Sequence, residues 1–257
     1  MKNDKRTKLF IILGSFFITN AIVAEFIGTK IFSFENSLNI SKADISLFGM
    51  EHLSFELTCG VLLWPVVFVM TDIINEYYGK KGVKLLSYIA AGMIAYAFLM
   101  VLIAIKVSPA SWWIESYKQK GVPNMQDAFA VIFGQGMWII VASLIAFLIG
   151  QLIDVYVFHA IRKASGEKYL WLRSTGSTLV SQLIDSFVVL FVAFYIGGNW
   201  TLNQIFAVGT MNYIYKFAIA LAITPLLYVL HHYIDKYLGK ETAEKMIEAA
   251  DHQYDEK

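Results

Sequence analysis

Two copies of one tetrapeptide place a carboxamide and a carboxylate three residues apart inside apolar stretches of this chain. Gln151-Leu-Ile-Asp154 recurs as Gln182-Leu-Ile-Asp185, the first near the end of one hydrophobic run and the second near the start of the next. If both runs are helices, the basic connector between them makes them antiparallel, and we expect the two motifs to face each other at similar depth. Carboxylates are costly in hydrocarbon, so their presence there predicts a function.

A third polar face lies in an earlier apolar run. Asp72, Asn75 and Glu76 stand at positions i, i+3 and i+4, so they share one face of a helix. Carboxylates and carboxamides side by side suit a flat, polar ligand that has both hydrogen-bond donors and acceptors. A purine-like base is compatible with this layer, because a carboxylate can accept from a ring N–H and an adjacent amino group.

Each charge at the centre of a membrane span costs about 3 kcal/mol, so we interpret this polar layer as a substrate or ion pathway. No metal site and no cofactor are predicted. Asn20 could instead form a hydrogen bond between helices. The predicted substrate-binding residues are Asp72, Asn75, Glu76, Gln151, Asp154, Gln182, Asp185, Ser186, Lys216 and Asn20.

Structural interpretations stand beside the functional one. Asp154 or Asp185 could pair with Lys216 and simply hold the helices together. Glu25 could be the partner of Lys216 instead. Glu76 lies four residues before a lysine and could extend to the interface without a specific role.

The elements that position these residues are membrane-spanning helices. The chain has a mean hydropathy of +0.56 and 57% hydrophobic residues, which is far from the composition of a soluble domain. A spanning helix needs roughly 20 mostly apolar residues. Six windows meet this requirement and predict an all-α, polytopic membrane protein: Leu9–Phe32, Leu53–Tyr78, Val83–Val107, Ile132–Phe158, Thr175–Ile196 and Ile205–Tyr228.

The distribution of basic residues predicts that both termini are cytoplasmic. We expect a cytoplasmic tail over residues 1–8, a six-helix domain over 9–234 and a cytoplasmic tail over 235–257 that forms a short, fraying soluble helix. The basic residues assigned to the cytoplasmic side are Lys2, Lys5, Arg6, Lys8, Lys80, Lys81, Lys84, Arg162, Lys163, Lys168, Arg173, Lys236, Lys240, Lys245 and Lys257.

Three features interrupt the helical pattern. Pro65 lies near the middle of the second window and predicts a kink. Ser108–Gln126 is hydrophobic but broken by prolines and carries paired tryptophans, which predicts an interfacial or re-entrant segment between the third and fourth helices. A gate is the alternative interpretation of that segment. Phe34–Glu51 is expected to lie on the outer surface.

Other classes of protein fit the sequence less well. Cys59 is the single cysteine, so an internal disulfide and a cysteine-based metal cluster are excluded. The basic residues serve as loop anchors, so no nucleic-acid partner is expected. The first apolar run has no small-residue cleavage site and is interpreted as a span rather than a signal peptide. The motifs of intramembrane proteases and hydrolases are absent, which disfavours an enzyme.

Several segments resemble the queuosine precursor transporters, also grouped as vitamin uptake transporters. Asp72–Gly79 is similar to the signature of that family's second helix. Leu172–Thr175 and Ser181–Ser186 resemble its signature around the fifth helix. Lys216 ahead of Thr224-Pro225 is similar to its sixth helix.

The resemblance covers the chain from about Leu9 to Tyr233, with one departure: Glu25 and Lys30 stand where the family is richer in asparagine. It implies import of deazaguanine bases, 7-cyano-7-deazaguanine and 7-aminomethyl-7-deazaguanine, across the bacterial inner membrane. Facilitated diffusion and proton coupling both remain open, as does assembly into a homo-oligomer. The alternative function is that of the substrate-binding membrane subunit of an ATPase-driven vitamin importer. An intramembrane enzyme is a less favoured interpretation.

Overall fold

The computed structural model describes residues 4–134, 137–165 and 169–255. Over these ranges, four short strands form two separate antiparallel pairs: β1 (Ile31–Ser33) with β4 (Glu56–Thr58), and β2 (Ile45–Leu47) with β3 (Met50–Leu53). The helices are α1 (Lys5–Ile27), α2 (Phe34–Ser37), α3 (Trp64–Lys106), α4 (Ser111–Ile114), α5 (Met125–Phe133), α6 (Met137–Ser165), α7 (Leu170–Leu190), α8 (Leu202–Leu238) and α9 (Lys240–Asp255).

Within the described ranges, five of these helices are long and apolar enough to cross a membrane: α1, α3, α6, α7 and α8. The predicted class, a helical integral membrane protein, is therefore confirmed. The sequence did not predict the short strands between α1 and α3. α7 continues directly into a π-helical turn, Phe191–Ile196.

The longest helix, α3, reverses direction at Gly79. This residue has φ 66° and ψ −172°, which breaks the helical path. Tyr78 donates a hydrogen bond to the carbonyl of Arg6, at the start of α1, over 2.8 Å. Gly60, just ahead of α3, and Phe98, in its second half, both lie against the last turns of α1. The two limbs of α3, residues 64–78 and 80–106, therefore run antiparallel.

Both ends of the described chain lie at the same end of the bundle as this reversal. Lys5 donates to the carbonyl of Tyr237 over 2.8 Å, which joins the start of α1 to the end of α8. We call this the terminal end. The strands, α4 and α5 lie at the opposite end, which we call the hairpin end.

The C-terminal helix α9 docks on the terminal end rather than fraying as the sequence predicted. Three side chains of its apolar face are buried against the bundle: Ala243, Met246 and Ala250. The side-chain amide of Gln253 donates to the carbonyl of Tyr78 and accepts from the backbone N–H of Lys81, both over 3.1 Å. α9 thus bridges the reversal in α3.

Gly79→Ala is expected to lower the free energy of unfolding by about 1–3 kcal/mol or more, because only glycine readily adopts this φ and ψ. An added Cβ would also lie 2.6 Å from Oε1 of Gln253. The measurement is the thermal unfolding midpoint in detergent. Adding Gln253→Ala to this variant should restore only the part of the lost stability that arises from the clash with Gln253.

Gly92→Ala is the matched control, because a Cβ there meets nothing within 4 Å and Gly92 lies in the regular second limb. Its unfolding midpoint should stay unchanged or rise, since alanine favours a helix over glycine by about 1 kcal/mol. Equal midpoints for Gly79→Ala and the wild type would contradict the strained reversal.

α6 and α7 pack side by side and antiparallel, as the repeated motif predicted. A Cβ on Gly150 would lie 3.8 Å from the Cβ of Asp185. Four residues further along α6, Asp154 accepts a hydrogen bond from Ser181 over 3.1 Å. The two motifs therefore face each other at similar depth.

At the hairpin end, a buried glutamate organises the strand-bearing loops. Glu35 is only 2% exposed and accepts from the backbone N–H groups of Phe55 (2.8 Å) and Ala43 (3.4 Å). Ser33 also donates to it, over 3.4 Å. Burial alone would raise the pKa of Glu35, but these hydrogen bonds outweigh burial and lower that pKa below its usual value.

Because the pKa of Glu35 is lower when folded than unfolded, its stabilising effect is full above its ordinary pKa of about 4.3 and is lost as the pH falls through the folded pKa. We expect Glu35→Gln to accelerate amide hydrogen exchange in residues 40–58 at pH 7, and the difference from the wild type to shrink as the pH falls through the lowered pKa of Glu35. Glu51→Gln, at an exposed position of the same region, is the control. Equal exchange for Glu35→Gln and wild type at pH 7 would contradict this role.

Four predictions about boundaries were wrong. The first window extends too far, because α1 ends at Ile27 and Phe32 lies in β1. Pro65 does not kink a helix; it lies in the first turn of α3, where a missing N–H costs nothing. The fourth window does not begin at Ile132, because that residue lies in the last turn of α5 and α6 begins at Met137. The second window is shortened at its start, where β3, β4 and a 3-10 turn, Cys59–Leu62, replace helix.

The broken segment predicted between the third and fourth helices contains α4, a 3-10 turn at Lys118–Lys120 and the start of α5. Trp112 is 76% exposed, as a side chain would be if it faced lipid headgroups. Gln126 donates to the carbonyl of Ile105 over 2.8 Å and so ties this segment to the end of α3. Whether the segment lies in the interface stays a prediction.

Candidate functional site

Four of the predicted polar residues meet in a buried layer between α3, α6 and α7, which we call the inner cluster: Asp72, Gln151, Asp154 and Gln182. Their exposures are 3%, 1%, 0% and 3%. Ser174 donates to Asp72, and Thr71 donates to Gln151 over 2.9 Å. Hydroxyl groups of neighbouring helix faces thus hold the carboxylates and the amide in place.

Each member of the inner cluster keeps one polar atom without a hydrogen-bond partner among the described residues. These atoms are Oδ1 of Asp72, Nε2 of Gln151, Oδ2 of Asp154 and Oε1 of Gln182. A buried polar atom without a partner costs about 1–3 kcal/mol, so such atoms in a native structure call for an explanation. These four atoms are three acceptors and one donor, and a polar ligand with several N–H groups could form hydrogen bonds with them.

A small cavity of about 20 Å³ lies against the inner cluster, lined in part by Asp72, Thr178 and Gln182. That volume holds a water molecule but no aromatic base. Val61, Trp64 and Lys216 line this small cavity and also a much larger one towards the hairpin end. These three residues therefore form the division between the two spaces.

The larger cavity, which we call the vestibule, has a volume of about 610 Å³, within the usual range for small-molecule sites. Its lining includes backbone and side chains from the hairpin end, such as Thr58, and reaches down to Asp185 and Lys216. Nζ of Lys216 lies 2.5 Å from Oδ2 of Asp185. Their side chains are 11% and 23% exposed, so the ion pair forms part of the vestibule floor.

Glu76 lies one helical turn from Asp72 towards the terminal end and belongs to a different arrangement. Arg173 contacts both of its carboxylate oxygens, over 3.2 and 2.5 Å, and Arg162 contacts it over 3.3 Å. All three side chains are buried. Asp251 of α9 approaches Arg162 to 2.5 Å. Two carboxylates and two guanidinium groups thus form an ion cluster, buried except for Asp251, which is 31% exposed.

This ion cluster corrects two predictions. Glu76 does not extend to the interface, because its carboxylate is held between two arginines and is 2% exposed. Arg162 and Arg173 are not solvated loop anchors: Arg162 lies in the last turns of α6, and Arg173 lies in the first turn of α7. A guanidinium can donate several hydrogen bonds in a fixed plane, which suits it to a buried carboxylate.

The remaining predicted residues have local contacts. Ser186 donates to the carbonyl of Gln182 and Asn20 to that of Phe16, over 2.7 and 2.8 Å, both within their own helices. Asn75 is buried at 1% exposure beside the ion cluster's Glu76. The structure thus brings Lys216 to Asp185, one of the three partners considered, and leaves Asn20 bonded to its own helix.

Sequence reasoning missed the hydroxyl groups that support the inner cluster. Ser174, Ser177, Thr178 and Ser181 recur at helical spacing on one face of α7, and all four are buried. That spacing is the pattern of one helix face and could have been recognised. Serine and threonine hydroxyls at such positions donate to carboxylates of neighbouring helices.

Among the described residues, no group of histidine, cysteine and acidic side chains could hold a metal ion. His231 instead contacts the hydroxyl of Tyr77 over 2.8 Å, and that hydroxyl donates to Asp235 over 2.7 Å. The fold and these layers define a multi-pass membrane protein in which a vestibule, a polar cluster and an ion cluster follow one another along the helices.

Comparison with known proteins identifies the family. Residues 58–230 match the family described as "Putative vitamin uptake transporter". The chain is 31% identical over 185 residues to the "Probable queuosine precursor transporter" of Bacillus subtilis (strain 168), covering 72% of this chain and 73% of that one. It is 26% identical over 222 residues to the "Probable queuosine precursor transporter" of Haemophilus influenzae, covering 86% of each.

A third relative, the "Queuosine precursor transporter" of Escherichia coli (strain K12), is 26% identical over 143 residues, which is 56% of this chain and 58% of that one. No solved structure matches this chain. The chain belongs to the queuosine precursor transporter family, the vitamin uptake transporters, as its second-helix and fifth-helix motifs indicated.

Proposed function

We propose that this protein imports queuosine precursors, the deazaguanine bases 7-cyano-7-deazaguanine and 7-aminomethyl-7-deazaguanine, across the bacterial inner membrane. The observation that carries the proposal is the succession of the vestibule and the inner cluster in a chain of this family. The vestibule has the volume for a bicyclic base, and the inner cluster has unsatisfied acceptors and a donor that suit its polar edges.

The path begins in the vestibule and ends beyond the ion cluster. A base enters from the hairpin end and reaches the floor formed by Asp185 and Lys216. Trp64 and Lys216 move aside as the small cavity next to Asp72 widens to accept it. The base then passes the ion cluster around Glu76, which closes the terminal end in this conformation.

This order of events is alternating access. One conformation has a large vestibule towards the hairpin end and a closed terminal end; transport requires the opposite conformation as well. In that conformation Arg162 and Arg173 move away from Glu76. Such a movement is possible because a buried ion cluster can have two discrete arrangements of its contacts. Both facilitated diffusion and proton coupling fit this scheme.

The accompanying topology has six spans with both termini in the cytoplasm. The spans are α1, the two limbs of α3, α6, α7 and α8, because the reversal at Gly79 divides α3 into two antiparallel limbs. Lysines near the terminal end, such as Lys80 and Lys163, support a cytoplasmic location of that end. Labelling of Cys59 by a membrane-impermeant maleimide added to intact spheroplasts tests the orientation, with Cys59→Ser as the unlabelled control.

The test of function is uptake of a labelled deazaguanine base by cells unable to synthesise queuosine, with and without this protein. We expect uptake to depend on the protein and to be lost in the double variant with alanine at Asp72 and Asp185. No uptake from a well-expressed wild type would contradict the proposed substrate. Normal uptake by the double variant would contradict the proposed site.

The runner-up function, the membrane subunit of an ATPase-driven vitamin importer, predicts a different biochemical result. Such a subunit would purify in a stable complex with ATPase partners. Uptake by the chain alone, reconstituted into liposomes without ATPases, would favour the independent transporter.

A further inference from the structure

Glu25 places a buried carboxylate in the wall of the vestibule. It is 8% exposed, and it lies near the end of α1. Ser143 of α6 donates a hydrogen bond to its Oε1. A neighbouring helix therefore holds this side chain in the wall of a cavity of about 610 Å³.

Three other charged groups line the vestibule with Glu25: Glu56, Asp185 and Lys216. Lys216 is 2.5 Å from Asp185, and its charge is balanced there. Glu56, at the rim, lies 3.3 Å from Lys42. A carboxylate has two oxygens that together accept about four hydrogen bonds, so Glu25 can accept from a ligand in addition to Ser143.

Aromatic rings accompany this carboxylate in the same cavity. Trp64 lies at its inner side, and Trp200 lies in its wall, stacked on Phe194 with ring centroids 4.5 Å apart. Phe194 belongs to the π-helical turn, a feature that often occurs at functional sites. A flat heteroaromatic ring can stack on such surfaces while its edge meets a carboxylate.

We infer that Glu25 accepts hydrogen bonds from the edge of the transported base that carries a ring N–H and an adjacent exocyclic amino group. This inference rests on the proposed function and specifies the substrate class further. Guanine-type bases present those two donors side by side, and one carboxylate accepts both in parallel. A hypoxanthine-type base lacks the amino group, and an adenine-type base presents an acceptor beside its amino group.

The test is competition binding on the purified full-length protein, with labelled 7-cyano-7-deazaguanine as the probe. The competitors are 7-deazaguanine and 7-deazahypoxanthine, which differ only in the exocyclic amino group. The wild type should bind 7-deazaguanine at least about tenfold more tightly, because a site built to accept from that group is left unsatisfied without it. In Glu25→Gln, that preference should fall to about twofold or less.

Glu56→Gln is the matched control, because Glu56 also lines the vestibule but lies 58% exposed at its rim. The preference of Glu56→Gln for 7-deazaguanine over 7-deazahypoxanthine should equal that of the wild type. Should Glu25→Gln fail to fold, Ser143→Ala replaces it and is expected to lower the preference at least threefold by releasing the carboxylate.

The outcomes separate the two proposals. A wild type that binds no labelled base overturns the proposed function and this inference with it. A wild type that binds the base, together with an unchanged preference in Glu25→Gln or Ser143→Ala, overturns only the role of Glu25.

Discussion

Replacing Arg173 with alanine is expected to destabilise the protein by about 3–5 kcal/mol, the usual cost of removing one partner from a buried ion pair. Arg173 contacts both carboxylate oxygens of Glu76, and both side chains are almost completely buried. Among the described residues, its loss leaves the buried carboxylate of Glu76 in contact with one cation, Arg162. The thermal unfolding midpoint in detergent should fall, and expression should fall with it.

A charge-neutral double variant tests whether the unpaired charge of Glu76 causes this loss of stability, and a surface variant is the control. Arg173→Met combined with Glu76→Gln removes one charge of each sign and leaves Arg162 beside Asp251, so it should recover much of the stability. Lys163→Ala, at an exposed position next to Arg162, should change the free energy of unfolding by no more than about 0.5 kcal/mol. A normal midpoint for Arg173→Ala would show that the ion cluster does not stabilise the fold.

Lys216→Ala is expected to reduce uptake of a deazaguanine base at least 100-fold, or about 2.7 kcal/mol, while leaving the fold largely intact. Lys216 lines both the vestibule and the small cavity, and its charge balances Asp185 at 2.5 Å. Without the ammonium group, Asp185 keeps an unbalanced charge where the base must pass. Asp185→Asn should show a loss of similar size, measured as initial uptake rate at equal expression.

The exchange variant, Asp185→Lys with Lys216→Asp, tests whether position matters as well as charge. It keeps an ion pair, so the unfolding midpoint should stay near that of the wild type. Uptake should be low, because the ligand then meets each charge in the place of the opposite one. Lys42→Ala is the control, since Lys42 pairs with Glu56 on the exposed surface, where an ion pair contributes about 0.2–1 kcal/mol. Wild-type uptake by Lys216→Ala would exclude the ion pair from the transport path.

Much of the inner cluster could be predicted because its signals are local. The motif Gln151–Asp154 and its repeat from Gln182 lie on helices whose period and length are visible in the sequence. One short connector makes consecutive helices antiparallel, so the two motifs had to meet. The composition likewise determined the class, since a chain of 57% hydrophobic residues with polar residues at fixed intervals must satisfy its backbone in helices.

The partners of the charged residues depended on contacts between distant segments. Glu76 and Arg173 are 97 residues apart, and whether Glu76 reaches solvent or a guanidinium depends on how α3 packs against α7. The same holds for Lys216, for which Asp154, Asp185 and Glu25 were equally compatible in sequence. Packing brought it to Asp185.

Helix boundaries and cavities were decided by tertiary structure as well. Pro65 has the same local chemistry in the middle of a helix and in its first turn, and only the strands ahead of it place it at the start of α3. The sequence by itself determined the membrane class, the order of the helices and the polar faces they carry, because these follow from local periodicity and the cost of charge in lipid. Only the tertiary structure decided the charge partners, the docking of α9 and the vestibule beside Glu25, because each arises where surfaces far apart in the chain meet.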